Sequence, residues 1–209
     1  MLNHGFRKKC NMNESCINGL GGRYLTEDEL TKYGFKSLGH HVQIHSRASI
    51  YCCENISIGN YVRIDDFAVL VGKGGIEIGS HVHIANFCFL GAKAGIVMKD
   101  FTALANGVKL FSSSDDYSGE YMTNPMLPPE FTGGKSGRIV LEKHVIIGAG
   151  SVVLPDVVLG EGVAVGALSL VTLPLSPWGI YFGSPVKRIR PRNKKILELE
   201  KQFREKDAE

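Results

Sequence analysis

The sequence lacks the marks of several protein classes. Met1 to Cys10 is polar and basic with no apolar core, so no secretory leader is read there. No apolar run of membrane-spanning length is unbroken. The one long candidate, Val163 to Phe182, is interrupted by Gly166, Pro174, Pro177 and Gly179 and reads as buried core. No CxxC pair occurs among Cys10, Cys16, Cys52, Cys53 and Cys88, and five is an odd number. Without a leader, they are expected as free thiols in a reducing cytoplasm. Aromatic residues do not interleave with the basic ones, which argues against a nucleic-acid partner. His81 and His83 share a strand face at a metal-compatible spacing, but no third ligand accompanies them, so no metal is expected.

What is present fits a soluble globular protein of one or at most two domains. The chain has 209 residues, 44% of them hydrophobic and 22% charged. The net charge of +3 comes from a late cluster: Lys187-Arg188, Arg190, Arg192 and Lys194-Lys195. A single ligand phosphate would satisfy such a cluster. The 25 glycines point to many turns.

From Leu38 to Val171 aliphatic residues recur every six positions. One run reads Leu38, Ile44, Ile50, Ile56, Val62, Ala68, and another reads Ile58, Ile64, Leu70, Ile76, Val82, Cys88. After a shift come Ile96, Thr102 and Val108, and after a gap Leu141, Ile147, Val153, Leu159, Val165 and Val171. This period suits neither an amphipathic helix nor a hairpin ladder. It suits a short strand and a tight turn, three of which close one triangular coil. Stacked coils give three parallel sheets, with Gly or Asn expected where a corner needs positive φ. The alternative, a β-sandwich, would alternate apolar and polar residues at longer spacings.

Two segments flank this rhythm and one interrupts it. Residues 1–37 are read as an N-terminal capping segment, with Thr26 and Glu29 forming a capping box for a short helix. Residues 38–190 are the β-helix, with a protruding loop at 112–137. Residues 191–209 read as an amphipathic C-terminal helix carrying Ile196, Leu199 and Phe203 on one stripe.

The stretch IVLEKHVIIGAGSVVLPDVVLGEGVAVGALSLVTLPLSPWGIYFGSPVKRIRPR closely resembles the end of the hexapeptide-repeat acyltransferases, including galactoside, maltose and xenobiotic acetyltransferases. The resemblance implies an all-β, left-handed parallel β-helix and a homotrimer with sites between subunits. It implies acetyl-CoA as cosubstrate, its pantetheine arm lying along Ala149, Ser151, Ala167, Ser169 and Thr172. Lys187 and Arg188 match the pair that meets CoA phosphates, though they also read as a solvated tail. Ile84-Ala85-Asn86-Phe87 is similar to the segment whose Asn faces the acceptor. Ala105 to Asp116 is similar to the segment ending in the family's catalytic His.

Asp115 stands at that His position here, followed by Asp116. Deprotonating a sugar hydroxyl needs a base of near-neutral pKa. A carboxylate, with a reference pKa of about 3.9, is poorly suited to that task. An amine needs less help, since its neutral form attacks a thioester directly. The substitution therefore favours N-acetylation, with Asp115 and Asp116 as the catalytic candidates. The loop text DDYSGEYMTNP also resembles acyltransferases that act on dTDP-4-amino-4,6-dideoxyglucose for surface polysaccharides. Two alternatives stay open: an O-acetyltransferase using another base such as His144, read as an exposed corner residue, and a non-catalytic β-helix scaffold.

Overall fold

The computed structural model describes residues 21–207. Its body is a left-handed parallel β-helix of three sheets. The first sheet stacks Ser37–Leu38, Ile56–Ile58, Ile76–Ile78, Ile96–Met98, Ile139–Leu141 and Val158–Leu159. The second runs from Gln43–Ile44 through Arg63–Ile64, His83–Ile84, Ala103–Leu104, Ile146–Ile147 and Ala164–Val165 to a terminal hairpin, Gly179–Gly183 with Val186–Pro191. The third stacks Ser49–Tyr51, Val69–Val71, Phe89–Gly91, Lys109–Phe111, Val152–Val153 and Leu170–Val171.

The period departs from a strict hexad. Ile58 pairs with Ile78, Ile64 with Ile84 and Leu70 with Leu90, so a coil here takes 20 residues. The two extra residues lie on the way from the third sheet back to the first. They explain the shift between the two runs. Ile56 and Ile58 both point inward from one strand, as do Ile76 and Ile78 and likewise Ile96 and Met98, leaving only the middle residue outside. Each inward aliphatic chain stacks on its counterpart one coil away and is close to fully buried. Burial of this kind stabilises by roughly 1.5–3 kcal/mol per side chain relative to exposure.

The corners follow the glycine expectation only in part. Gly107, Gly150 and Gly162 have positive φ, but among the described residues so do eleven non-glycine residues, including His41, Tyr61, Phe67, His81, Phe87, Phe101, His144 and Leu168. Several of these side chains stack on one another. His41, Tyr61, His81, Phe101 and His144 form one ladder up the edge between the first and second sheets, with centroids 4.8–5.2 Å apart. His81 belongs to this ladder, whereas His83 bonds to Asp65 at 2.8 Å, so the two share no metal face. Asp65 also accepts from Tyr24 Oη and Arg63 Nε, which ties the N-terminal segment to the second sheet. Burial and that bond push the Tyr24 phenol up to about 12.

A short helix, α1 (Glu27–Thr31), opens with a reciprocal box: Thr26 Oγ1 accepts from Glu29 N, and Glu29 Oε2 accepts from Thr26 N. The C-terminal helix, α2, spans Lys195–Asp207. It folds back over the ring ladder through Glu200, Phe203 and Arg204, while Leu199 stays 51% exposed. His144 is consequently buried, not exposed, and its Nε2 meets Glu200 Oε2 at 2.7 Å. Among the described residues no helix is long and apolar enough to cross a membrane. Cys52, Cys53 and Cys88 are free thiols, and Cys10 and Cys16 lie outside the described residues.

Candidate active site

The corner that leads from the second sheet to the third carries most of the expected ligand-facing residues. Backbone bonds from Gly107 N to Asn86 O, Gly150 N to Asn106 O and Leu168 N to Ala149 O stack Asn86, Asn106, Ala149 and Ala167 in one column. With neighbouring strands about 4.8 Å apart, the three steps from Ala167 to Asn86 span about 14 Å. Ala149 and Ala167 are exposed and small, which keeps that end of the column open to an approaching chain.

The hairpin at the end of the second sheet stands just past Ala167. Gly183 N donates to Ser169 Oγ, and Gly166 has no room for a Cβ because Phe182 lies 2.4 Å from where it would sit. Lys187 and Arg188 pair with Phe182 and Tyr181 across this hairpin and are exposed. The basic cluster is not uniform, however. Arg192 is turned inward, where its Nη1 donates to the carbonyls of His144, Gly162 and Val163, so it holds the fold rather than a ligand.

Three expected cofactor positions behave differently from the alanines. Ser151 and Ser169 point into the coil and are 0% and 2% exposed. Ser151 Oγ donates to Gly166 O and accepts from Ser169 N, and Ser169 Oγ donates to Ala167 O. These hydroxyls satisfy corner backbone and have no surface to offer a ligand. Thr172 follows the last strand of the third sheet and therefore lies on another edge from Ala149 and Ala167.

The interruption at 112–137 is an arm rather than a structureless loop. Ser113–Asp115 pairs antiparallel with Gly134–Ser136, and a single helical turn covers Pro129–Phe131. Ser112 roots it: buried, it donates to Gly91 O and accepts from Ala94 N, while its carbonyl accepts from Gly137 N. The arm leaves Tyr117 92% and Met126 87% exposed. Asp115 lies opposite Gly134 on the arm and is exposed. Asp116 is occupied: it accepts from Ser118 Oγ and from the backbone N of Ser118, Gly119 and Tyr121. The Ser118 hydroxyl, acting against the cost of burial and joined by the three backbone donors, holds its carboxyl at about 2. So Asp116 shapes the turn that presents Asp115, and as a base it would be very weak.

Asn86 and Asp115 do not meet within one chain. Asn86 precedes the third-sheet strand Phe89–Gly91, and Asp115 follows the third-sheet strand Lys109–Phe111, so a whole face of the prism separates them. His144 is no free base, being covered by α2 and engaged by Glu200. Asn106 was not foreseen. Its Nδ2 donates to Asn86 Oδ1, and the signal was available as an Asn at the equivalent corner one coil on. Among the described residues no group of three His, Cys, Asp or Glu is placed to hold a metal.

Known proteins match this architecture closely. Residues 138–172 match the family "Bacterial transferase hexapeptide (six repeats)". A dTDP-4-amino-4,6-dideoxy-D-glucose acyltransferase of Escherichia coli is 48% identical over 182 residues, covering 87% of this chain and 95% of the relative. The chain belongs to the hexapeptide-repeat acyltransferases. Among solved structures, a variant of AntD, an N-acyltransferase from Bacillus cereus, superposes with a TM-score of 0.86 at 45% identity, covering 88% of this chain and 98% of that one. It holds dTDP-4-amino-4,6-dideoxyglucose and coenzyme A. AntD with dTDP and 3-hydroxybutyryl-CoA superposes equally well, at 0.86 and 44% identity over 89% of this chain and 98% of that one. In this hexapeptide-repeat acyltransferase the corner thus runs from the exposed basic residues Lys187 and Arg188 of the hairpin, past the small Ala167 and Ala149, to the amides of Asn106 and Asn86.

Proposed function

We propose that this acyltransferase moves an acetyl group from acetyl-CoA to the amino group of dTDP-4-amino-4,6-dideoxyglucose. The observation that carries the reading is an exposed carboxylate, Asp115, on the arm, at the position that the resemblance gives to the catalytic histidine of hydroxyl-acetylating members. The similarity to the Escherichia coli and Bacillus cereus acyltransferases supports the same acceptor. The CoA phosphates meet Lys187 and Arg188, and the pantetheine arm follows Ala149 and Ala167. The amine nitrogen attacks the thioester carbonyl, the C–S bond breaks, and the thiolate leaves. Asp115 orients the amine and takes the surplus proton, which then passes to the thiolate or to water. Because Asn86 and Asp115 are a prism face apart, we assign Asp115 to the groove of a neighbouring copy in a homotrimer. The exposed Tyr117 and Met126 of the arm then gain a cover. Surface-polysaccharide (O-antigen) synthesis in the cytoplasm is the setting that this substrate implies.

The test is a thiol-release assay with acetyl-CoA and two acceptors, the 4-amino sugar nucleotide and its 4-hydroxy counterpart, with the product weighed by mass spectrometry. Transfer to the amine is expected. Transfer to the hydroxyl sugar alone would overturn the reading.

A further inference from the structure

The corner column beside Asn86 and Asn106 has a gap. Its positive-φ residues are Phe67, Phe87, Gly107, Gly150 and Leu168. Arg47, itself held by Asp66, lies 4.5 Å over the Phe67 ring, and Phe67 stacks on Phe87 at 5.1 Å and 9°. On the other ring-bearing edge the ladder runs unbroken from His41 to His144. Here it stops at Phe87, which remains 58% exposed. A Cβ on Gly107 would find nothing nearer than Gly150 N at 4.0 Å. On Gly150 a Cβ would come within 2.8 Å of Leu168 Cδ2, so Leu168 lies across that glycine. The result is a notch one rung high, floored by Gly107, with Phe87 on one side and Leu168 on the other.

The rim of the notch is chemically mixed. Asn106 Nδ2 donates to Asn86 Oδ1, and that single bond leaves one amide NH₂ and one amide oxygen unclaimed among the described residues. Lys109 reaches the floor, donating to Gly107 O at 3.4 Å, and no carboxylate pairs with it among the described residues. An apolar ring face, an amide donor and acceptor side by side, and one ammonium make a set of complementary parts. They match a deoxyhexose ring with an apolar face, vicinal hydroxyls and an attached diphosphate.

We propose that this notch seats the hexose of the nucleotide sugar, its apolar face on Phe87, its hydroxyls on Asn86 and Asn106, and its diphosphate beside Lys109. Phe87 and the bare Gly107 are then determinants of acceptor specificity. The proposal rests on the amino-sugar reading above. A thymine base stacked on Phe87 would also meet the two amides, but the reacting amine is on the hexose, which must therefore lie at the end of the alanine column where the notch opens.

The experiment compares wild type with Phe87→Ala, Phe87→Leu and Gly107→Asn, the last because Asn tolerates left-handed φ and fills the notch. Each variant is first checked by thermal melting, and its KM values and its affinity for dTDP alone are then measured. The expected result is a rise of about tenfold or more in acceptor KM for Phe87→Ala and Gly107→Asn, with a smaller rise for Phe87→Leu. The KM for acetyl-CoA and the affinity for dTDP should stay within about twofold. An equal loss of dTDP affinity would place the base in the notch and overturn the proposal. So would unchanged acceptor KM values in well-folded variants. If the wild type itself acetylates no amino-sugar nucleotide, the functional reading fails as well, and the two failures are thereby told apart.

Discussion

Replacing Glu200 by glutamine removes one charge from the clasp that holds α2 against the β-helix while keeping its shape. The carboxylate is 9% exposed and is bonded to Lys143 Nζ at 2.6 Å, His144 Nε2 at 2.7 Å and Arg204 Nε at 2.7 Å. Burial pushes its pKa up, but those three bonds outweigh burial and hold it at about 2, against an ordinary 4.5. At about 1.4 kcal/mol per unit, a gap of that size is worth about 3 kcal/mol in a fully shielded site. Lys143 and Arg204 are 32% and 52% exposed, so water screens their share. The expected loss for Glu200→Gln is therefore about 1–2 kcal/mol near pH 7. The sign follows from linkage. The folded-state pKa lies below the unfolded one, so the stabilisation is complete above about pH 4.5 and drains away as pH falls toward 2. Urea unfolding of both proteins at about pH 7 and about pH 3 measures this. Circular dichroism reports the whole fold, and Trp178 fluorescence reports the root of α2, because the Trp178 ring lies 5.3 Å from Lys194 Nζ. Equal losses at the two pH values, or no loss near neutrality, would refute the ionic account of the clasp.

Asp115→Asn should keep measurable turnover, slowed by about 10–100-fold, below the loss of up to about 10⁴ expected for a true general base. The rise of kcat/KM with pH, set by the acceptor amine, should persist in this variant. Complete inactivity in a folded protein that still binds acetyl-CoA would make Asp115 an essential base. Arg188→Ala should raise the acetyl-CoA KM about tenfold with kcat little changed, as expected for uniform binding loss costing about 1–3 kcal/mol; an unchanged KM would return the residue to bulk solvent. Light scattering at micromolar concentration should give three times the chain mass of 22.8 kDa. A fully active monomer would rule out a site shared between copies.

The identity of the fold was legible in the aliphatic positions, because most inward residues of a stacked coil must be apolar to pack on their counterparts one coil away. Leu38, Ile44, Ile50 and their successors could be read without coordinates. The 20-residue coil was visible only as an unexplained shift from Ile56 to Ile58, since both residues of a strand can point inward. The amine acceptor was an expectation drawn from Asp115, a single position where the resembling family carries histidine, and Asp115→Asn is its test. Residue type also marked Lys187 and Arg188, but not the contrast with Arg192, which depends on three carbonyls brought together from 162–163 and from 144.

Sequence alone determined what local chemistry dictates: the repeat, the box at Thr26 and Glu29, and the order of arm and tail. The tertiary structure decided whatever depends on stacking one coil upon another. Ser151 and Ser169 looked like groove residues and are interior ones, because their hydroxyls satisfy corner backbone inside the coil. His144 looked exposed and is buried, because a helix more than fifty residues along the chain returns to cover it. Phe67, Phe87 and Gly107 fall twenty residues apart and carry no shared local signal. Only the coil aligns them, placing two rings and a vacant rung beside the paired amides of Asn86 and Asn106.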